Sequence, residues 1–426
     1  MSEFRKISGL LSAASASLLG AHNAQAESAW DVETAVLMYS ETDRVSVVEP
    51  VISAKKDLND TDILSMKLTL NALTGASANG AVPSSQPQTF TSPSGKDTYT
   101  VDPNETPKDP SFRDARASYG ITWDQALDRF DRLKLGANVS VEQDFLSLSG
   151  NAGWSTETHQ RNTRYDIGAN LELDAISPSG GAPEPLTVMD LNASNDNGGD
   201  DDDEEEGGEH KSRTVLDLLL GVTQIIDRSS LFQVNLSLSA ADGYMTDPYK
   251  FVSVVDPVSG DPVRILYESR PSTRSKTSIF GKYKKTFANE DVLTASLRWM
   301  TDDWGVDSQT LNLSYRLVFD GGHYLQPHLR LYRQTAADFY RYFLRSDEPL
   351  PRHASADYRL GELSTRTVGI KYGKSDPFGN DWSVRLEYYL QSGDGSPAEA
   401  VGQLRSQDLF PDVEAWIVQV NYAFRW

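Results

Sequence analysis

Five histidines past the first few dozen residues, His159, His210, His323, His328 and His353, are the chain's stock of side chains that titrate near neutral pH. None stands in a recognisable catalytic frame. His328 lies between Pro327 and Leu329, two residues from Arg330, and no nearby Ser, Asp or Glu completes a triad, although triads assemble in space. The neighbours Asp302 and Asp303 could join a histidine to activate water. Paired acids also accept backbone hydrogen bonds in ordinary turns. The chain has no cysteine, which excludes disulfides, thiolate chemistry and haem attachment through a Cys-x-x-Cys-His site. No glycine-rich phosphate cradle opens a helix. The residues therefore give no expectation of an enzyme, and no cofactor is expected.

Charge is the stronger chemical signal. There are 40 Lys and Arg against 61 Asp and Glu, a net charge of −21. Residues 1–26 hold Arg5 and Lys6 against Glu3, a net +1, so the remainder carries −22. Nucleic acid is excluded as a partner, because neutralising phosphates needs a basic footprint. Part of the acidity is one run among glycines: Asp200, Asp201, Asp202, Asp203, Glu204, Glu205 and Glu206. It cannot bury itself and reads as a solvated loop. Its carboxylates suit weak binding of calcium or magnesium, bridging to lipopolysaccharide, but it lacks the alternating ligands of an EF-hand. The rest is dispersed. Lys67, Lys134, Glu142, Glu172, Arg298, Arg316, Arg330, Arg385 and Glu387 stand at polar positions of alternating stretches.

The elements that must position these charges are strands. Leu64, Met66, Leu68 and Leu70 interleave with Ser65, Lys67, Thr69 and Asn71. Leu311, Leu313, Tyr315 and Leu317 interleave with Asn312, Ser314 and Arg316. A period of two gives one apolar and one wet face. Sixteen such segments are expected, near 29–39, 45–56, 62–72, 112–123, 131–143, 145–156, 162–176, 213–225, 230–241, 274–286, 291–301, 307–319, 323–334, 363–373, 381–392 and 413–426. Each has the length of a tilted transmembrane strand. Periodicity does not separate a membrane barrel from a soluble sandwich. Gap lengths do. The long gaps, 73–111, 177–212, 242–273, 335–362 and 393–412, all follow odd-numbered strands. Those after even strands are short. That asymmetry predicts an all-β, transmembrane antiparallel β-barrel of about sixteen strands, with short periplasmic turns and long extracellular loops.

The two ends agree. Arg5 and Lys6 precede an apolar run, Ile7 to Leu19, and Ala24-Gln25-Ala26 offers a small-x-small cleavage site. Residues 1–26 read as a signal peptide and 27–426 as one barrel domain. In the closing run Trp416, Val418, Val420, Tyr422, Phe424 and Trp426 alternate with other residues. This is the expected closing strand, with Tyr422, Phe424 and Trp426 as an aromatic signal to the barrel-assembly machinery. Trp30, Tyr39, Trp123, Trp299, Trp304, Tyr324, Trp382, Trp416 and Trp426 fall near strand ends, as interfacial girdles require.

The loops hold two open questions. The 73–111 loop, rich in Gly, Ser, Thr and Pro, is long enough to fold over the mouth or into the lumen. In 242–273 and 335–362, aromatics interleave with Arg, as in Asp338-Phe339-Tyr340-Arg341-Tyr342-Phe343. Such runs stack on a flat ligand or pack a loop against its neighbours.

Several runs together resemble one family. They are Glu41 to Pro50, Leu73 to Ser77, Gln88 to Thr91, Asp247 to Lys250, Met300 to Gly305, Gln334 to Tyr340 and Ala354 to Glu362. The family is Gram-negative, known only as a domain of unknown function and read as outer-membrane barrels. The resemblance implies the same fold over nearly the whole chain and supplies no catalytic or ligand residues. It also implies a genomic neighbourhood of a flavin-transferring enzyme, a small lipoprotein and a thioredoxin-like protein. The acidic run stands outside the resembling segments.

The expectation is an outer-membrane barrel that serves as a passive channel or conduit for a small solute or partner. The nine dispersed charges would line its lumen. The alternative is a non-conducting scaffold that binds an envelope lipoprotein or redox-linked partner through its lumen or external loops. Outer-membrane lipid and lipopolysaccharide would surround either.

Overall fold

The computed structural model describes residues 30–91, 98–189, 211–376 and 380–426; the 1–26 leader and the acidic run 200–206 lie outside them. In chain order the strands are β1 (Trp30–Glu41), β2 (Val45–Asp57), β3 (Asp62–Ala78), β4 (Gln88–Thr91), β5 (Thr98–Val101), β6 (Lys108–Ala126) and β7 (Asp131–Val141). They continue with β8 (Phe145–Thr158), β9 (Thr163–Ile176), β10 (Lys211–Asp227), β11 (Ser230–Gly243), β12 (Phe251–Val255), β13 (Pro262–Tyr267) and β14 (Thr273–Thr286). The last are β15 (Val292–Asp302), β16 (Asp307–Val318), β17 (His323–Gln334), β18 (Leu344–Arg345), β19 (Leu363–Ser375), β20 (Asp381–Gly393) and β21 (Val413–Arg425).

Sixteen of these close into one antiparallel barrel, in the order β1-β2-β3-β6-β7-β8-β9-β10-β11-β14-β15-β16-β17-β19-β20-β21. Each of the sixteen segments expected from alternation is a barrel strand. Every wall strand hydrogen-bonds its neighbour in sequence order, and β21 returns to β1, with Asp31 opposite Arg425 and Glu41 opposite Ala415. The long connections follow β3, β9, β11, β17 and β20, all at one end, here the loop end. The opposite, turn end is closed by short side-chain-capped turns. Asn59 Oδ1 accepts from the Thr61 and Asp62 amides at 2.8 Å each. Asp128 Oδ1 accepts from Phe130 and Asp131 at 2.7 and 2.8 Å. In the β16–β17 turn, Gly322 has φ +79°, and a Cβ there would meet Ser375 O at 2.1 Å, so only glycine fits.

Burial in the wall is inverted. Leu148, Leu171, Leu218, Val368 and Leu386 are exposed on one face. On the other face Ser140, Ser147, Asp174, Ser383 and Glu387 are buried. The apolar face is therefore the outside and the polar face the inside. The expected aromatic girdle holds for Trp299, Trp382, Trp416 and Trp426, which are exposed on the outer face, where Trp154 joins them unforeseen. It fails for Trp304 and Tyr324, which are buried, and for Tyr39, which lines an internal cavity. Position near a strand end does not fix the face. Odd or even register does, and Tyr39 falls on the row of Val47 and Ile417.

The loop end is a folded body. β3 and β6 run past the expected 72 and 112, pairing as far as Ala78 and Lys108 through a register shift at Gly75/Ser77. The first long loop therefore reduces to 79–107, carrying the β4–β5 hairpin. The third, after β11, contributes β12 and β13, which pair with β18 from the fourth, after β17. All five residues of β12 are buried. Four apolar clusters fill this cap. One joins Trp304, Phe339, Tyr340 and Phe410, another Val82, Phe343 and Leu404, a third Val252, Leu266 and Leu344, and a fourth Phe90, Met189 and Phe251. The aromatic-rich 338–343 segment packs against its neighbours, with Trp304 and Phe339 edge to face at 5.0 Å.

Candidate functional site

Two regions carry chemistry: the charged inner wall and the ion network that ties the cap together. On the wall, register places eight of the nine sequence candidates at inward positions, and Glu142 follows the last residue of β7. They do not form one constellation.

The sector from β6 to β10 is neutralised pair by pair. Arg132 and Lys134 meet Asp124 at 2.8 and 3.3 Å. Arg116 meets Glu142 at 3.5 Å, and Arg164 meets Asp166 at 2.7 Å. Arg213 reaches Asp174 at 2.8 Å and Glu172 at 3.9 Å. Lys67 borders this sector on a cavity of about 350 Å³, with Glu49, Asn71, Arg116 and Asn138.

The sector from β14 to β20 is different. Arg298 lies over the Phe280 ring at 5.6 Å and Arg316 over Tyr324 at 3.5 Å. Neither, nor Arg330, has an ion-pair partner among the described residues. Arg385 is 3.9 Å from Glu387, whose Oε1 is also 2.8 Å from His328 Nδ1. His328 Nε2 is 3.2 Å from Asn312 Oδ1. The sequence concealed this contact, because His328 and Glu387 lie 59 residues apart and meet across Gly369. A Cβ at Gly369 would lie 2.4 Å from Glu387 Cγ. A glycine inside a strand is the one signal that marks such a close approach. Lys282, Lys284 and Lys371 share the inward rows, opposite Ser296, Thr294 and Arg385. They were missed as candidates although the same alternation carries them.

Asp302 and Asp303 are turn acids. Asp302 Oδ1 accepts from the Val306 amide at 2.8 Å, its Oδ2 accepts from Arg274 Nη2 at 2.5 Å, and Asp303 Oδ1 accepts from the Ser275 amide at 2.9 Å. Tyr422 and Phe424 stack at 5.3 Å on the outer face of β21, and Trp426 is exposed beyond them.

The cap is tied by charges from two loops, Glu268 and Asp357 buried and Arg359 at the exposed edge. Arg270 Nη2 donates to Asp357 Oδ2 at 2.8 Å, and Arg270 Nε lies 2.5 Å from Glu268 Oε1. Arg359 Nη2 bridges Asp357 at 2.5 Å and Asp247 at 2.8 Å. The Asp247 amide donates to Glu268 Oε1 at 2.7 Å, and the Ser355 hydroxyl donates to Glu268 Oε2. Burial pushes the Glu268 carboxyl up to about 7, against the pull of Arg270. Burial also opposes ionisation of Asp357, but Arg359, Lys250 and Arg270 outweigh it and hold that carboxyl well below the usual range. Between cap and wall lies a cavity of about 410 Å³, lined by Tyr39, Arg44, Tyr249, Asp357, Arg359 and Tyr389 among others. The runs that carry the family resemblance gather here, at the rim and in the cap.

A closed antiparallel barrel, apolar outside, charged inside and covered at one end, is the architecture of outer-membrane channels and receptors. The chain belongs to the family described as "Protein of unknown function (DUF3570)", whose model matches residues 8–424. No curated protein matches it. Among solved structures it is similar to CdiB from Acinetobacter baumannii, with TM-score 0.46 and 10% identity over 94% of this chain and 61% of that one. It is also similar to a bacterial polysaccharide outer membrane secretin, with TM-score 0.43 and 9% identity over 93% and 98% of the two chains. A third is the outer membrane protein opdK from Pseudomonas aeruginosa, with TM-score 0.39 and 9% identity over 94% and 99%. The chain thus spans about three fifths of the length of CdiB and nearly all of the other two.

Proposed function

We propose that this protein is an outer-membrane barrel that conducts small polar solutes through a charged interior, with the cap narrowing the loop end. One observation supports this above all: the wall exposes its apolar side chains outward and keeps its charges inside. An outward band of this kind matches lipid. A sixteen-stranded barrel is wide enough for an aqueous path. The loop end would then face outward, among lipopolysaccharide, and the turn end the periplasm. Purified full-length protein, folded into planar bilayers, should give stepwise conductance. Correctly folded protein with no conductance sinks the conduit reading.

The cap favours a second reading. Four apolar clusters at the loop end suit a non-conducting scaffold that presents a rigid surface or holds an envelope lipoprotein. Affinity purification from native membranes should then recover a lipoprotein in a fixed ratio. Recovery of the barrel alone, apart from its assembly machinery, counts against it.

A further inference from the structure

Counter-charge is distributed very unevenly around the inner wall. From β6 to β10 nearly every cation has its carboxylate. From β14 to β19 seven inward cations, Lys276, Lys282, Lys284, Arg298, Arg316, Arg330 and Lys371, make no ion pair with any described residue. The acids of that sector are engaged elsewhere: Asp302 with Arg274, Glu387 with His328 and Arg385, and Asp381, near Lys371, with the Ser375 and Tyr324 hydroxyls.

Register shows how these cations are arranged. Lys282 stands opposite Ser296, Ser296 opposite Asn312, and Asn312 opposite Arg330. The parallel rows read Lys284, Thr294, Ser314, His328 and Phe280, Arg298, Thr310, Tyr332. Hydroxyl and amide side chains therefore fill the ground between Lys282, Lys284, Arg298 and Arg330. Neighbouring strands lie about 4.8 Å apart, so Lys282 and Arg330 flank a patch about 14 Å across. Nearer the turn end Arg316 and Lys371 approach the same Tyr324 ring, at 3.5 and 5.8 Å. Like charges gathered this closely repel unless anions reside among them. In a chain of net charge −21 they are not a by-product of composition.

We propose that this sector is an anion-binding track, and that its ligands are small oxyanions bearing two or more negative charges, carboxylate or phosphate. Cations supply the attraction. The Ser, Thr and Asn side chains supply hydrogen bonds that replace the anion's water. The paired sector opposite offers no such excess. The proposal rests on the conduit reading only for passage. Binding stands apart from it.

The test separates the two. Full-length protein folded in detergent is titrated at low salt with succinate and, separately, with inorganic phosphate. Saturable binding of either is expected, and which of the two binds tells a carboxylate track from a phosphate track. The triple variant R298Q/R316Q/R330Q should bind roughly tenfold more weakly or worse, the scale of one or two lost charge-assisted contacts. The K134Q variant, which removes a single cation already held by Asp124, should change affinity less than twofold or so. Absence of binding, or an equal loss in K134Q, overturns the proposal. In bilayers under a salt gradient the reversal potential should be anion-selective and move toward zero in the triple variant. Binding without conductance would refute the conduit and leave the track standing, whereas cation-selective conductance would refute the track.

Discussion

The wall and the cap are cut from one chain and follow opposite burial rules. In the wall, leucines and valines are exposed while serines and carboxylates are buried, and the ordering comes from strand-to-strand hydrogen bonds closed into a ring. In the cap, Phe90, Phe410, Leu266 and Leu404 are buried to 1% exposure or less. There the ordering comes from apolar area and an ion network. The wall needs a solvent that tolerates its apolar outside. The cap carries its own core and would keep it in water. Stability in the two regions should therefore respond to different substitutions.

The largest expected effect comes from emptying the cap. Phe410→Ala should cost the loop end about 3–5 kcal/mol, the range for a buried aromatic truncated to Ala. Proteases should then cut within 394–412 and 335–362 while the wall keeps its folded, heat-modifiable gel mobility. Loss of that mobility would show that cap and wall are one cooperative unit. Leu218→Arg tests the converse. Leu218 lies mid-strand on the outer face of β10, and an arginine there should cost about 2–4 kcal/mol in lipid. Folding yield in vesicles should fall while loop protection in the folded fraction stays normal. An arginine tolerated without loss would contradict a lipid-facing wall.

A smaller effect follows from the cap's carboxyls. Glu268 titrates near 7 in the fold, above an ordinary glutamate, because burial disfavours its charge. Its stabilising contribution is complete below the unfolded glutamate value and is lost as pH rises through 7. Asp357 runs the other way, with a contribution complete above the ordinary aspartate value and lost as pH falls through its depressed native value. Cap amides should thus show higher protection, relative to intrinsic exchange at each pH, at pH 5 than at pH 8. Glu268→Gln should abolish the difference, and an unchanged pH response in that variant would remove Glu268 as its cause. The smallest effect is expected at the turn end. Arg425 and Asp31 pair at 2.9 Å, but both are more than half exposed. Arg425→Ala should leave stability nearly unchanged, and a clear shift in denaturant midpoint would mark this contact as more than a surface pair.

The same contrast explains what could be read from residues alone. A two-residue period is local, so each wall strand announces itself, and gap lengths order the strands into a barrel with all long loops at one end. The cap has no period. Phe90 stacks on Phe251 at 5.9 Å across 161 positions, and β18 pairs with β12 in parallel from a different loop. Nothing local in the Asp338–Phe343 segment distinguishes ligand stacking from packing. The charges were legible as belonging to one face, yet their pairing was not. Whether Lys134 or Arg330 finds a carboxylate depends on the strand beside it, and that follows only once register is known.

The seam between β1 and β21 has a kinetic side. Thr34 Oγ1 donates to Tyr422 O at 3.1 Å across 388 positions, whereas every other strand in the wall meets a sequence neighbour. Compared with a hairpin of about fifteen residues, this closure spans between four and five doublings of loop length, an entropic penalty of only about 3 kcal/mol. A full ladder from Asp31 to Glu41 outweighs it. The Trp30 and Trp426 backbones already exchange hydrogen bonds at 2.6 and 2.8 Å. A chain joined there and reopened in the turn at 228–229 should close into the same wall with its seam moved halfway round. The order in which strands are threaded is therefore separable from the shape they make.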